Sequence, residues 1–150
     1  MSVTKTFETG FDDESASPGL MLWRVTNSWQ AVIRSALQPF GLTHVQFVLL
    51  ASLAWLDGES AITQRELSDH ARVDPMMTSQ VVRTLAAKGL VERHRHPTDA
   101  RARSLAVTPA GATLVNRANQ VVEATDREFF ARLGPEAGGF VNMLGKLDDV

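Results

Sequence analysis

The sequence predicts a mostly α fold that carries one small β-hairpin, and three local patterns support this. The first is a helix opening at Asp74, which can cap free N–H groups, and Pro75, which fits the first helical position. Val81, Val82, Leu85 and Leu90 recur near helical spacing as its inner face, and Gly89 stops it. The second is the pair of alternating stretches Leu90 to His96 and Ser104 to Thr108, joined by the Arg-rich turn PTDARAR. The third is a capping box, Thr63 with Glu66, that opens the short helix QRELSDHA, anchored by Leu67 and Ala71. A short helix, a tight turn, a longer polar-faced helix and a hairpin with a basic tip make the layout of a winged helix-turn-helix.

The remaining elements follow in chain order. Residues 1–16 include Asp12, Asp13 and Glu14 and show little periodicity, so they read as a flexible arm. Ser17 and Pro18 start a helix in which Leu20, Trp23, Asn27, Ala31, Arg34 and Leu37 step along one side. Leu22, Val25, Trp29, Val32, Ile33 and Ala36 widen its apolar surface, so it needs more than one partner, and Pro39 and Gly41 end it. Thr43 and Gln46 cap a helix from His44 to Leu56 that is apolar almost all round and belongs at the centre, ending at Asp57 and Gly58. Ala61 and Ile62 suit a very short strand joining the later hairpin. Thr108 and Pro109 open a long helix whose apolar positions run from Leu114 to Leu133, where Gly134 and Pro135 break it. A last helix carries Phe140, Val141, Leu144 and Leu147 on one face. Gly138 and Gly139 each weaken its start by about 1 kcal/mol relative to Ala, so it needs outside packing, for example from a second subunit.

With 150 residues, 44% of them hydrophobic, the chain suits one domain or two fused lobes with a real core. Cysteine is absent, which excludes disulfides, thiolate metal sites and a thiol redox switch. No apolar run reaches membrane-span length and no signal peptide is visible, so a cytoplasmic protein is expected, with no membrane partner. The net charge of −2 hides a segregation. Residues 61–108 hold eight Arg or Lys against five Asp or Glu, whereas the remainder holds seven against twelve. The positive excess lies on the segment that would read DNA.

Candidate contacts follow from chemistry. Arg101, at the hairpin tip, suits a narrow electronegative minor groove, and Asp99 two residues earlier can hold its geometry. Arg93, Arg95 and Arg103 are phosphate or structural contacts. Thr78, Ser79, Gln80 and Arg83 share the polar helix face with Met76 and are the candidate base or phosphate readers, since Gln can pair with adenine through two bonds. Met76 and Met77 could touch thymine methyls or simply pack, and Arg65 and Ser68 could touch the DNA backbone. His94 and His96 alternate on a strand, but no third ligand is near, so no metal and no cofactor is expected. His44 suits a cap or core role, and Trp23, Trp29 and Trp55 a core role. No convergent acid–base or nucleophile cluster points to an enzyme.

The run from Ser79 to Gly111, SQVVRTLAAKGLVERHRHPTDARARSLAVTPAG, resembles the MarR family of bacterial transcription regulators. Members typically show Leu-x-x-x-Gly-Leu-Val, then Asp-x-Arg, then Leu-Thr-x-x-Gly. Here these are Leu85 with Gly89, Leu90 and Val91; Asp99 with Arg101; and Thr108 with Gly111. Val107 replaces the usual leucine, and Gln80 stands where many members carry Arg. The resemblance covers the chain from about Pro18 onward. It implies a homodimer in which residues 17–42 and 109–150 form a helical dimerisation lobe and residues 43–108 the DNA-binding lobe. It also implies a palindromic double-stranded operator, usually repressed, and release by a small, often aromatic ligand. The family's ligand cleft between the lobes would map onto Trp23, Asn27, His44, Phe47 and Val48. An aromatic carboxylate is the first expectation for that effector. A winged helix used only for protein contacts fits the same fold but would not require a basic wing.

Overall fold

The computed structural model describes residues 6–57 and 61–148. Six α-helices and three short strands are present among them: α1 (Pro18–Leu37), α2 (His44–Leu56), β1 (Ile62–Thr63), α3 (Gln64–Ala71), α4 (Pro75–Ala87), β2 (Val91–Arg95), β3 (Arg103–Val107), α5 (Pro109–Phe130) and α6 (Ala137–Asp148). Of the expected arm, residues 1–5 lie outside the described residues, as does the Gly58 helix stop; a one-turn 3-10 helix, Glu14–Ala16, follows Asp13. No single helix among the described residues is long and apolar enough to cross a membrane.

The capping residues act where the sequence places them. Ser17, Thr43, Thr63, Asp74 and Thr108 each accept a backbone N–H of the following helix. At Thr43 and Thr63 the capping box closes, with Gln46 and Glu66 reaching back to the cap backbone. Each such cap contributes about 1 kcal/mol by satisfying donors that would otherwise be orphaned.

α2 is the centre of the molecule. Phe47, Leu49, Leu50 and Leu53 are buried, and α1, α3, α4, α5 and β3 all pack on this helix. Trp55, expected in the core, is 85% exposed at its end. On α1 the inner face is not the stripe through Trp23 and Asn27. It runs through half-buried Trp29 and fully buried Ile33 and Leu37, at steps of four, while Leu20, Leu22, Trp23 and Val25 stay exposed. The buried residues of α1, Ile33 and Leu37, both lie in its second half.

The strands form an antiparallel sheet in the order β1-β3-β2. The expected short strand is there, with Ile62 opposite Leu105 on one side of β3 and Arg93 opposite Leu105 on the other. Gly89, at φ 73°, turns the chain from α4 into β2, a conformation that favours glycine. Gly111 sits in the first turn of α5 directly beside the Leu90 carbonyl. Beyond α5, a 3-10 segment (Ala131–Glu136) with a kink at Gly134 leads into α6. α6 buries no residue and packs chiefly on that segment, leaving Val141, Met143, Leu144 and Leu147 exposed.

Candidate nucleic-acid interface

The turn between α3 and α4 is built from within. Arg72 takes a left-handed conformation, φ 55°, and the buried Ser68 hydroxyl donates to the Val73 carbonyl at 2.6 Å. Ser68 therefore fastens the turn and is not free to touch DNA. Asp74 then accepts the Met76 and Met77 N–H groups at 2.7 and 3.0 Å, which starts α4 behind Pro75.

On α4 the outward face consists of Met76, Met77, Gln80 and Arg83, with Ser79 half-buried beside the wing. Thr78 does not belong to it. Its relative exposure is 0%, and its hydroxyl donates to the Asp74 carbonyl at 2.9 Å. Thr78 is the first member of the inner stripe that continues through Val81, Val82 and Leu85, so helical phase turns it inward. Arg83 lies along its own helix, with Nε donating to the Ser79 carbonyl at 3.4 Å.

The wing adds cations at close quarters. Arg95 and Arg103 are exposed and directly opposite one another across β2 and β3. Like charges in that register destabilise a hairpin unless an anion joins them. Arg93 projects from the same face of β2 as Arg95. A cavity of about 380 Å³ opens between the wing and the helix-turn-helix, lined by Thr63, Gln64 and Arg65 at the start of α3, Ser79 of α4, and Arg93, Asp99, Arg101, Ala102 and Arg103 of the wing. Among the described residues, none of the four arginines around it is ion-paired with a carboxylate. The one acid on the rim, Asp99, accepts the Arg101 backbone N–H at 3.0 Å. It thus shapes the tip through the backbone, and not by pairing the guanidinium. Arg65 and Arg93 share this cavity with Arg101 and Arg103 because the sheet folds back over α3, a contact no local pattern announces.

The two histidines of the wing are separated. Nε2 of His94 meets Glu92 at 2.9 Å. His96 lies just past β2 and turns Nδ1 toward the Thr98 and Asp99 N–H groups.

A second concavity, about 320 Å³, lies where α1 meets α2 and is lined by Trp29, Gln30, Arg34, His44, Val45, Val48 and Val73. It brings together His44 and Val48 of the expected ligand residues but not the other three. Phe47 is 7% exposed and part of the core. Trp23 is 69% exposed farther up α1, and Asn27 donates to the Trp23 carbonyl at 2.7 Å within that helix. Trp29 takes their place: its ring meets His44 edge-on at 5.1 Å and its indole N–H donates to Asp126 of α5 at 2.7 Å. Trp29 and Asp126 are 97 residues apart, so sequence spacing carried no sign of the pair. Burial pushes the His44 imidazole below its usual range, with Arg34 pushing the same way and Asp126 opposing.

A model of the MarR family matches residues 42–102. The transcriptional regulator YdcH of Bacillus subtilis is 44% identical over 123 residues, 81% of this chain and 83% of YdcH. The chain belongs to the MarR family. Another MarR-type relative, the transcriptional repressor Rv2887 of Mycobacterium tuberculosis, is 35% identical over 135 residues, 89% of this chain and 95% of the repressor. The crystal structure of Rv2887 with DNA superposes with a TM-score of 0.70 at 33% identity, covering 88% of this chain and 98% of that one. BpsR of Bordetella bronchiseptica, whose DNA binding is regulated by 6-hydroxynicotinic acid, superposes at 0.85 with 25% identity, covering 94% and 99%. These MarR proteins share the winged helix-turn-helix seen here, so the chain is a transcriptional regulator of this family by both sequence and fold.

Proposed function

We propose that two copies of this chain bind a palindromic operator, with α4 in the major groove and the wing tip in the adjacent minor groove. The observation that carries the reading is the cavity ringed by four arginines that lack a carboxylate partner among the described residues, set between the wing and α4. A duplex supplies phosphates to such a cluster. Ser79, Gln80 and Arg83 are the reading residues on α4, Arg101 enters the minor groove from the tip that Asp99 shapes, and Arg93, Arg95 and Arg103 hold phosphates with Arg65. The exposed faces of α1 and α6 form the dimer lobe, with residues 43–108 as the DNA-binding lobe. Rv2887 in complex with DNA supports this use of the fold.

The test begins with binding-site selection from a random duplex library, followed by fluorescence anisotropy on the selected site. Arg101→Ala should weaken binding by about 1–3 kcal/mol per half-site while the melting temperature stays put. Arg93→Ala should flatten the log-affinity against log-salt slope by about 0.9 for each phosphate that the arginine neutralises. Selection that returns no consensus, or binding indifferent to salt, would favour a protein-contact module instead.

The effector seat in this reading is the cleft of Trp29, Arg34, His44 and Val48. It offers an aromatic wall and a guanidinium, which suits an aromatic carboxylate. Rv2887 in complex with salicylic acid and BpsR with 6-hydroxynicotinic acid support that ligand class. Salicylate should quench or shift the tryptophan fluorescence and weaken the operator, and operator should weaken salicylate by the same factor. Arg34→Gln should blunt the response while sparing operator binding. A panel of aromatic acids that leaves both signals unchanged would remove this part of the proposal.

A further inference from the structure

We infer that His96 is a positioning residue for DNA binding: its imidazole caps the wing tip and so aims Arg101. The inference rests on the wing reading above. Pro97 has no N–H, so the tip's first donors after His96 are Thr98 and Asp99. Neither is taken up by the strands. Both converge on Nδ1 of His96, at 3.3 and 3.1 Å, and the Thr98 hydroxyl lies 3.4 Å from the same atom. A backbone N–H can only donate, so Nδ1 of His96 is the acceptor of both bonds.

The cap is the first link of a relay. Asp99, held by its own N–H on His96, uses Oδ1 to accept the Arg101 N–H at 3.0 Å and its carbonyl to accept the Ala102 N–H at 3.2 Å. The His96 N–H in turn donates to the Ala102 carbonyl at 3.3 Å, which closes the loop at its base. Arg101 is exposed and, among the described residues, has no ion-pair partner, so these backbone bonds are what orders the segment carrying it. A tip left free would have to be ordered on DNA, and binding would lose that entropy. Half-buried His96 acts through Arg101 and reads no base itself.

The experiment compares His96→Ala, His96→Asn, His96→Gln, Arg101→Ala and the His96→Ala/Arg101→Ala double variant in the full-length protein. The Asn amide oxygen occupies the place of Nδ1, two bonds from Cβ, whereas the Gln oxygen lies one bond farther out. Operator affinity should fall roughly 3- to 10-fold in His96→Ala and His96→Gln, the scale of one or two hydrogen bonds. His96→Asn should stay within about twofold of wild type on the same scale. In the free protein, the Thr98 and Asp99 amides should exchange faster in His96→Ala and recover in His96→Asn. The double variant should bind no more weakly than Arg101→Ala, because His96 has nothing left to aim. Melting temperature checks that each variant is folded.

Additive losses in the double variant would assign His96 its own DNA contact and overturn the inference. So would an Asn variant as weak as the Ala variant, or amides whose exchange is unmoved by His96→Ala. If Arg101→Ala itself binds like wild type, the wing reading fails and takes this inference with it. The exchange measurement then still shows separately whether the cap exists.

Discussion

Gly111 is the position where one added methyl group should do most damage. It lies in the first turn of α5, and its backbone is pressed against the turn that joins α4 to β2. A Cβ there would sit 2.1 Å from the Leu90 carbonyl oxygen and 3.0 Å from both the Leu90 carbonyl carbon and a Val107 methyl. Ordinary contact begins at 3.4 Å, so the oxygen is 1.3 Å too close and belongs to backbone, which cannot swing aside. The same oxygen accepts the Thr108 N–H at 3.1 Å, and the Thr108 hydroxyl donates to the Gly89 carbonyl at 2.7 Å. Gly111→Ala must therefore push α5 off the α4–β2 turn and stretch both bonds. Overpacking of this kind costs about 1–3 kcal/mol. A weakened backbone hydrogen bond adds about 1 kcal/mol. The better helix propensity of Ala returns about 1 kcal/mol. The net loss should be about 1–3 kcal/mol, or a melting point lower by about 2–12 °C for a chain of this size. The assay is thermal unfolding by circular dichroism at one fixed protomer concentration, because dimerisation would make the midpoint depend on concentration. The wing hangs on the same turn, so operator affinity should also fall. A variant that melts at or above wild type would refute the close-approach argument.

Other outcomes follow from the same structure. Thr78→Val keeps the shape but removes the hydroxyl that bonds Asp74, so stability should drop by about 1 kcal/mol in urea titrations while the selected operator sequence is unchanged. A shift in base preference would put Thr78 back on the reading face. Burial holds the His44 pKa below its ordinary value, so the unfolded chain takes up the proton first as pH falls. Stability should decline as pH drops from about 7.5 through about 6.5 and toward the lower folded value. His44→Gln should remove that part of the acid sensitivity, measured as urea midpoints at several pH values. Deleting residues 140–150 should lower dimer content by sedimentation and weaken the operator with it, because α6 buries nothing within its own subunit.

The fold was legible because its signals are local. Asp74 with Pro75 and the boxes at Thr43 and Thr63 satisfy helix N–H groups within three residues, and Gly89 supplies a positive φ where the chain must turn. Alternation marked β2 and β3, and even Ile62 betrayed its short strand. Periodicity fails where every position is apolar or where an element has two surfaces. α1 is apolar round most of its girth, so the sequence could not say that Trp29, Ile33 and Leu37, and not Trp23, face the rest of the chain.

Taken alone, then, the sequence determined the order of elements, the starts of the capped helices and the basic character of the wing, since each depends on residues a few positions apart. The long helix expected to reach Leu133 instead ends at Phe130. Tertiary structure alone decided helical phase and long-range company. It turned Thr78 inward, because rotation by one residue is set by what packs on each side of a helix. It joined Arg65 to Arg93 and Arg103 around one cavity, and Trp29 to Asp126 across 97 residues. Those meetings depend on how the sheet and helices stack, and close packing fixes that stacking through contacts between residues far apart in the chain.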